Sequence, residues 1–320
     1  MLTREQVIAA YEALLGRGPR NETETADALA SHADVRALRQ HLLTSREFAP
    51  DVAMLVLQRA FALDRETIQT VQTKADPHQL QRLLNRIRET WVRIGKTDSY
   101  WSVLSWDIFK DGLSENANTF WESGRSDIER LNVWLCRNEI PKNPAWTCLE
   151  YGCGAGRDTR WLCSEFGRVI AMDISSSHLE VAAKAVGAQH PNAQFVEVQD
   201  LSAYPRLPEF DLLFSLLVLQ HNPPPLIAFI LDSLLGRLRQ GGIAYFQVPT
   251  LCRNYSFDLD SYLALDRNEG FEMHVIPQRE VFEILRRNGC ELLEVQADDK
   301  AGSLDFVSNT FLARKVRQVK

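Results

Sequence analysis

The chain has 320 residues, 45% of them hydrophobic and 24% charged, which is typical of a folded protein with a sizeable core. Its formal net charge of −6 gives no general attraction to nucleic acid or to anionic lipid. No segment approaches about 18 consecutive apolar residues, so we expect neither a membrane span nor a nucleic-acid partner.

The N-terminal sequence and the cysteines predict the compartment. The first residues, MLTREQVIAAYEALL, carry charges where a signal peptide needs an unbroken apolar core. The six cysteines form no C-x-x-C pair and no cysteine and histidine cluster at zinc spacing. Because free thiols are typical of a reducing compartment, we expect a cytoplasmic protein, and we expect no metal site.

Residues 1–70 are predicted to form a small helical bundle. Thr3 and Gln6 are spaced as a capping box, and apolar residues then recur at helical spacing as far as Leu43. A third apolar run covers Val52 to Leu63. This part carries no evident catalytic group, so we interpret it as a packing module that is a candidate for homo-oligomer contacts.

Residues 71–145 are predicted to be a helical linker and a lid over the cofactor and substrate. A long amphipathic helix after Pro77 places Leu80, Leu84 and Ile94 on one face. The segment from Tyr100 to Gly124 is rich in aromatic residues.

Residues 146–320 alternate between predicted strands and helices. The strands are TCLEY, RVIAM, AQFVEV, FDLLFSLL and GIAYFQV, with a helix or a crossover-length connection after each. This alternation predicts a doubly wound, mostly parallel α/β sheet. The last two of seven strands, ELLEVQ and SNTFLAR, have no helix between them, so we expect an antiparallel C-terminal strand.

The stretch CLEYGCGAGR joins the first of these strands to a helix. Gly152, Gly154 and Gly156 allow tight turning and a close approach to a bound nucleoside. Geometry alone leaves nicotinamide, flavin and S-adenosylmethionine cofactors open. A dinucleotide fingerprint needs glycine or alanine at position 157, which is Arg157, so that cofactor class fits poorly.

The pattern E-x-G-x-G-x-G resembles the first motif of class I S-adenosylmethionine-dependent methyltransferases. The resemblance extends over about residues 146–315, with Asp173 after the second strand and Asp200 after the third. It implies a Rossmann-like sheet and S-adenosylmethionine as cofactor.

Two further resemblances concern the biological setting. The stretches YWSVLSWDIF, FWESG, CLEYGCGAGR, VLQHNPPP and FEMHVIPQ resemble bacterial methyltransferases that are encoded with surface-polysaccharide enzymes. The stretches YEALLGRGP and HLLTSREF resemble helical domains of unknown function on bacterial enzymes that modify cell-surface glycans.

The methyltransferase resemblance implies a set of cofactor-binding residues. The glycines would pass beside the methionine part, Asp173 would accept hydrogen bonds from the ribose hydroxyls, and Asp200 would accept one from the adenine amino group. Glu150 would orient the turn or reach the methionine amine through water. Each of these acids is alternatively a solvated loop residue or a helix cap. The full predicted cofactor set is Glu150, Gly152, Gly154, Gly156, Asp173, Ile174, Asp200, Leu201 and Leu217.

Methyl transfer to a hydroxyl needs a general base near the acceptor. His221 lies just past the fourth strand and before a run of three prolines, and His274 lies in the long insertion 250–276. Both are candidate bases, although a lone histidine is often a hydrogen-bonded structural residue. The other five histidines, His178 among them, are expected to have no role. The candidate substrate or lid residues are Tyr100, Trp101, Trp121, Tyr255 and Tyr262, for which core packing is the alternative.

Three functions remain open from the sequence. The leading hypothesis is O-methylation of a sugar or glycan hydroxyl. The second is methylation of another small molecule at an amine or a carboxylate. The third is a cofactor-binding module without catalysis, in which the helical bundle recruits partners.

Overall fold

The computed structural model describes residues 2–15, 17–43, 45, 70–105, 107–110, 116–265, 270, 272–303 and 305–316. The chain divides into two compact units, Met1–Glu66 and Thr67–Lys320.

The N-terminal unit contains the helices α1 (Arg4–Leu15), α2 (Glu22–Ser31) and α3 (Val35–Leu43). The predicted capping box before α1 is confirmed, because the Thr3 and Gln6 side chains each accept a hydrogen bond from the other residue's backbone N–H, at 3.3 and 3.0 Å. Val7 and Leu38 are fully buried in the core of this unit. The predicted helical run Val52 to Leu63 lies outside the described residues.

The second unit is built on a seven-stranded sheet in the order β3-β2-β1-β4-β5-β7-β6. All neighbouring pairs are parallel except those of β7, which is antiparallel to β5 and β6. The predicted mostly parallel sheet with an antiparallel C-terminal strand is therefore confirmed. The strands are β1 (Thr147–Tyr151), β2 (Arg168–Asp173), β3 (Ala193–Glu197), β4 (Phe210–Ser215), β5 (Leu238–Cys252), β6 (Cys290–Asp298) and β7 (Phe306–Lys315).

Helices cover both faces of this sheet. They are α4 (Pro77–Thr97), α5 (Trp101–Leu104), α6 (Ala117–Arg137), α7 (Thr159–Glu165), α8 (Ser176–Ala182), α9 (Pro224–Arg237), α10 (Leu259–Ala264) and α11 (Gln278–Arg287). Helix α8 continues as a π-helical turn over Ala183–Gly187, and 3₁₀ turns cover Asp107–Phe109, Leu201–Arg206 and Leu219–His221.

Strand residues alternate between the two faces, which produces two apolar cores. Leu149 and Leu213 pack with α4, α9 and α11, whereas Cys148 and Leu212 pack with α6 and α7. Helix α4 begins with a capping box between Asp76 and Gln79, so it starts at a fixed point and lies along the sheet.

The insertion between β5 and α11 is ordered in part. Ser256–Phe257 forms a two-residue strand parallel to Thr70–Val71, and α10 follows it. In the parts of the chain that the structure describes, no helix is long and apolar enough to cross a membrane.

Candidate active site

A pocket lies at the carboxyl ends of β1, β2 and β4, the edge where ligands bind in sheets of this kind. Its space is about 710 Å³ including the mouth, within the usual range for small-molecule sites. The walls come from the turn after β1, the end of β2 and the segment after β4. Trp91 of α4, Ser102 and Val103 of α5, and His178 of α8 also line it.

The glycine turn after β1 has backbone angles that suit glycine alone. Gly152, Gly154 and Gly156 have φ of 81°, 52° and 88°. A Cβ on Gly152 would lie 2.8 Å from Val218 Cβ and nearer still to its two methyl groups. The turn is therefore packed directly against the segment that follows β4.

Asp173 at the end of β2 holds this turn in place. Its Oδ2 accepts a hydrogen bond from the Gly154 N–H, and its Oδ1 accepts one from the Ser175 N–H, each at 2.8 Å. Asp173 and the neighbouring Ile174 both line the pocket. Since a carboxylate offers about four lone-pair positions, Asp173 keeps acceptor capacity toward a ligand.

Glu150 lies beneath the turn and does not line the pocket. It is 3% exposed, and its Oε2 accepts a hydrogen bond of 2.6 Å from the Thr159 hydroxyl at the start of α7. Burial, with the nearby Asp158 carboxylate, raises the pKa of Glu150 to about 8. The structure therefore places Glu150 where it orients the turn and the helix after it.

The structure does not bring the predicted adenine-binding pair Asp200 and Leu201 to the pocket. Asp200 is exposed and caps a 3₁₀ turn by accepting a hydrogen bond of 2.7 Å from the Ser202 N–H. The Leu201 N–H donates to Gln81 Oε1 of α4 at 3.1 Å. Leu217, by contrast, lines the pocket, with a left-handed φ of 63° and its N–H bonded to Gln247 Oε1.

His221 lines the pocket at the end of the 3₁₀ turn after β4. Its Nδ1 lies 2.8 Å from the Glu272 carbonyl oxygen, which only accepts, so Nδ1 carries the proton of the neutral ring. Its ring packs edge-on against Trp91 at 5.1 Å. Burial, with a smaller effect of His274, lowers the pKa of His221 to about 4, so the ring is neutral at pH 7.

His274 does not line the pocket and belongs to a hydrogen-bonded cluster beside it. Its Nδ1 lies 2.8 Å from the Tyr255 hydroxyl, and its Nε2 lies 2.9 Å from Glu272 Oε2. The Tyr262 hydroxyl donates to the same Glu272 oxygen at 2.6 Å. The cluster meets His221 only through the carbonyl of Glu272 among the printed sequence neighbours described above.

The predicted lid aromatics form a separate apolar cluster. Tyr100, Trp101 and Trp121 pack around Phe109 and Phe120, and none of the three lines the pocket. The lid segment reaches the pocket through Ser102 and Val103 instead. Val103 faces Gly154, where an added Cβ would lie 3.0 Å from its Cγ2.

Sequence reasoning missed His178. This residue lines the pocket and is 2% exposed, with Nε2 2.8 Å from the Ser102 hydroxyl and Nδ1 2.8 Å from the Ser175 hydroxyl. Burial lowers its pKa. Its position in the first turn of the helix after Asp173 was the available signal, because that turn lies at the same edge of the sheet as the glycines.

A buried charge cluster adjoins the turn and was also missed. Arg157 Nη2 contacts Asp127 Oδ2 at 2.7 Å and Asp158 Oδ2 at 2.8 Å, and Lys300 contacts Asp127 at 2.8 Å. Arg157, Asp158 and Asn222 all line the pocket. Within the described ranges, no group of three histidine, cysteine, aspartate or glutamate side chains is placed to hold a metal ion.

Comparison with known proteins gives a domain and a fold. Residues 148–242 match the family model described as "Methyltransferase domain". The trans-aconitate 2-methyltransferase of Azoarcus sp. (strain BH72) is 33% identical over 118 residues, 36% of this chain and 43% of that protein. The chain thus spans less than half the length of this curated relative.

Two solved structures of magnesium protoporphyrin IX methyltransferase (ChlM) from Synechocystis PCC 6803 are similar in fold. The one with bound SAH has a TM-score of 0.50 at 16% identity and covers 72% of this chain and 99% of that one. The one with bound SAM has a TM-score of 0.50 at 17% identity and covers 77% and 100%.

Proposed function

We propose that this chain is an S-adenosylmethionine-dependent methyltransferase that acts on a hydroxyl group of a small molecule, with a sugar or glycan as the leading acceptor. The premise is that residues 148–242 are a methyltransferase domain. This segment contributes the glycine turn, Asp173 and His221 to one pocket.

The residues present fit the donor. The glycine turn gives a backbone surface without side chains, Asp173 offers acceptor oxygens to ribose hydroxyls, and Ile174 offers an apolar face to the adenine. When bound, S-adenosylmethionine supplies a methyl group on a positively charged sulfur. The chain's own contribution is to orient the acceptor toward that methyl and to exclude water.

The hydrogen-bonded state of His221 is the observation that supports a hydroxyl acceptor. With Nδ1 donating to the Glu272 carbonyl, Nε2 of the neutral ring is an acceptor nitrogen. A hydroxyl has a proton to donate to such a nitrogen, and it loses that proton when it is methylated. His221 therefore suits the position of a base that takes the proton from an alcohol.

A carboxylate acceptor is the second candidate, because the curated relative is named a trans-aconitate 2-methyltransferase. An ionised carboxylate has no proton to donate to His221, and it needs no base. The cationic residue lining the pocket, Arg157, already contacts the carboxylates of Asp127 and Asp158. These contacts favour the hydroxyl over the carboxylate.

We also propose the cytoplasm as the compartment, and a glycan precursor as the form in which the acceptor is met there. The six cysteines are all free thiols, as a reducing compartment maintains. The N-terminal helices are the proposed site of homo-oligomer contacts.

The acceptor can be identified by its chemistry. The protein is incubated with metabolite and glycan extracts and with S-adenosylmethionine that carries a trideuterated methyl group, and labelled products are found by mass spectrometry. We expect a labelled compound whose methyl group survives mild alkali, as an ether does. A methyl ester would release its label under the same treatment.

The outcomes separate the candidate functions. An alkali-labile label would select the carboxylate acceptor, and fragmentation that places the label on nitrogen would select an amine. Binding of S-adenosylhomocysteine without any labelled product would contradict catalysis and support a cofactor-binding module. His190→Asn, a change away from the pocket, is the matched control for His221→Asn in this assay.

A further inference from the structure

Two buried oxygen atoms of pocket-lining residues have no hydrogen-bond partner within the described part of the chain. They are Oδ1 of Asp158 and Oδ1 of Asn222. The two residues are 7% and 3% exposed, so bulk water does not solvate them freely. Buried polar atoms in folded proteins almost always have a partner, so two such oxygens in one pocket call for an explanation.

The orientation of the Asn222 amide follows from its other contact. Its Nδ2 donates to the Val218 carbonyl oxygen at 3.0 Å, and a carbonyl cannot donate in return. Turning the amide over would bring two oxygens together. The oxygen is therefore the atom of Asn222 that is left for another donor.

The Asp158 carboxylate is held in a similar way. Its Oδ2 accepts from Arg157 Nη2 at 2.8 Å, while Oδ1 lies beside Gly124 of α6, where an added Cβ would be 3.1 Å away. Because that position carries no side chain, α6 supplies no donor there. Arg157 is shared with Asp127, so one cation serves two carboxylates.

The charge balance indicates what kind of group is missing. Burial raises the pKa of Asp158 to about 7, and the Asp127 carboxylate adds to this effect while Arg157 opposes it. The carboxylate therefore lacks compensating positive charge. A cation with several hydrogens would supply both the charge and the two absent donors.

We propose that Asp158 and Asn222 form a binding site for an ammonium group of a ligand in this pocket. The inference rests on the proposed function, and it assigns to these residues the amine contact that the sequence resemblance gave to Glu150. The ammonium group has two sources, the amino-acid end of the methyl donor and an amine on the methyl acceptor.

The experiment compares two ligands by calorimetry. S-adenosylhomocysteine carries the ammonium group, whereas 5′-methylthioadenosine has the adenosine and the sulfur but no amino-acid part. We expect Asp158→Asn and Asn222→Leu to weaken S-adenosylhomocysteine binding by about tenfold or more, the scale of a lost hydrogen bond to a charged group. Binding of 5′-methylthioadenosine should change by less than about twofold, which also reports that the pocket is folded.

A control variant tests the charge cluster itself. Asp127→Asn removes the other carboxylate from Arg157 and does not touch the pocket. It should leave the ratio of the two affinities unchanged. A selective loss as large as that in Asp158→Asn would assign the effect to Arg157 and overturn the site.

The acceptor source is tested with propylamine, titrated into the protein saturated with S-adenosylhomocysteine. If both variants bind S-adenosylhomocysteine normally, propylamine binding that is tenfold weaker in Asp158→Asn supports the site for an acceptor amine. Equal propylamine binding, or equal weakening of both adenosyl ligands, overturns the proposal. If the unmodified protein fails to bind S-adenosylhomocysteine, the proposed function fails, and the propylamine comparison without it decides the ammonium site alone.

Discussion

A single backbone carbonyl determines the proton state of His221. From the sequence, an unperturbed histidine would titrate near neutral pH, and turnover would rise with pH through that range. In the structure, the ring is buried against Trp91 and bonded to the Glu272 carbonyl, and the pKa falls to about 4. The sequence position located the residue, but the environment that sets its pKa comes from an insertion far away in the chain.

We expect methyl transfer to show no titration of His221 between about pH 6 and 8, because the ring is already neutral there. Turnover should fall only as pH approaches about 4, where the ring takes up a proton. His221→Asn should lower turnover by about 10²-fold or more, the usual scale for a lost general base. Steady-state rates across pH provide the measurement, once the labelling assay has yielded an acceptor.

The same pKa has a consequence for stability. His221 is protonated more easily in the unfolded chain, so it stabilises the fold above its ordinary pKa of 6.5, and this stabilisation is lost as pH falls toward about 4. Over that window the unmodified protein should lose up to about 3 kcal/mol more than His221→Asn in denaturant unfolding. Parallel stability curves for the two proteins would contradict a lowered pKa, and a rise in turnover between pH 6 and 7 would contradict it independently.

Other residues show where sequence reasoning about the site succeeds and where it stops. The glycines, Asp173 and Ile174 follow strands whose ends meet at one edge, so topology alone brings them to the pocket. Asp200 also follows a strand, yet it caps a 3₁₀ turn outside the pocket. Its neighbour is held by Gln81 of a helix that lies over 100 positions earlier, and one-dimensional spacing does not reveal that contact.

At the scale of elements, the glycine turn joins three parts of the site. It follows β1, it is held by Asp173 at the end of β2, and Gly152 packs on Val218 after β4. The requirement for glycine at this position therefore has two causes, a positive φ and the absence of space for a side chain. These causes can be separated by experiment because the chain contains a glycine with only the first.

We expect Gly152→Ala to destabilise the protein more than Gly241→Ala does. Both glycines have φ of 81°, but a Cβ on Gly241 would have no atom within 4 Å, whereas one on Gly152 would clash with Val218. The shared left-handed backbone costs about 1–2 kcal/mol in each variant. The clash should add about 1–3 kcal/mol to Gly152→Ala alone, measured by denaturant unfolding. Equal losses in the two variants would show that the turn shifts freely.

The strands show how local pattern and long-range pairing combine. Buried apolar runs located all seven strands, because each run is bounded by polar residues or glycine. Their ends were less accessible: β5 was predicted as GIAYFQV but extends over Leu238–Cys252. Its extra length pairs with β7, from Ile243 with Arg314 to Cys252 with Phe306, and that partner lies far along the sequence.

At the scale of the whole molecule, the chain contains two units with separate apolar cores. Leu38 and Val7 belong to the core of Met1–Glu66, whereas the pocket and the sheet lie within Thr67–Lys320. Change of pattern from helical repeats to strand and helix alternation indicated this separation in the sequence. Helix α4, which sequence reasoning treated as a linker, shares a core with β1 and β4.

We expect a protein that begins at Thr67 to fold and to bind S-adenosylhomocysteine within about threefold of the full chain, because every residue that lines the pocket is retained. Cleavage inside α4 should be different. A protein that begins at Ile87 lacks Leu80, Leu83 and Leu84, which are buried against the sheet, and should unfold at lower denaturant concentration or fail to fold. Calorimetry and denaturant unfolding of the two truncations measure these effects, and light scattering of the first one tests the oligomer contacts proposed for the N-terminal helices. Loss of S-adenosylhomocysteine binding in a folded protein that begins at Thr67 would show that the N-terminal unit contributes to the donor site. An unchanged oligomeric state would contradict its proposed role in self-association, since the contacts would then have to lie on the sheet unit.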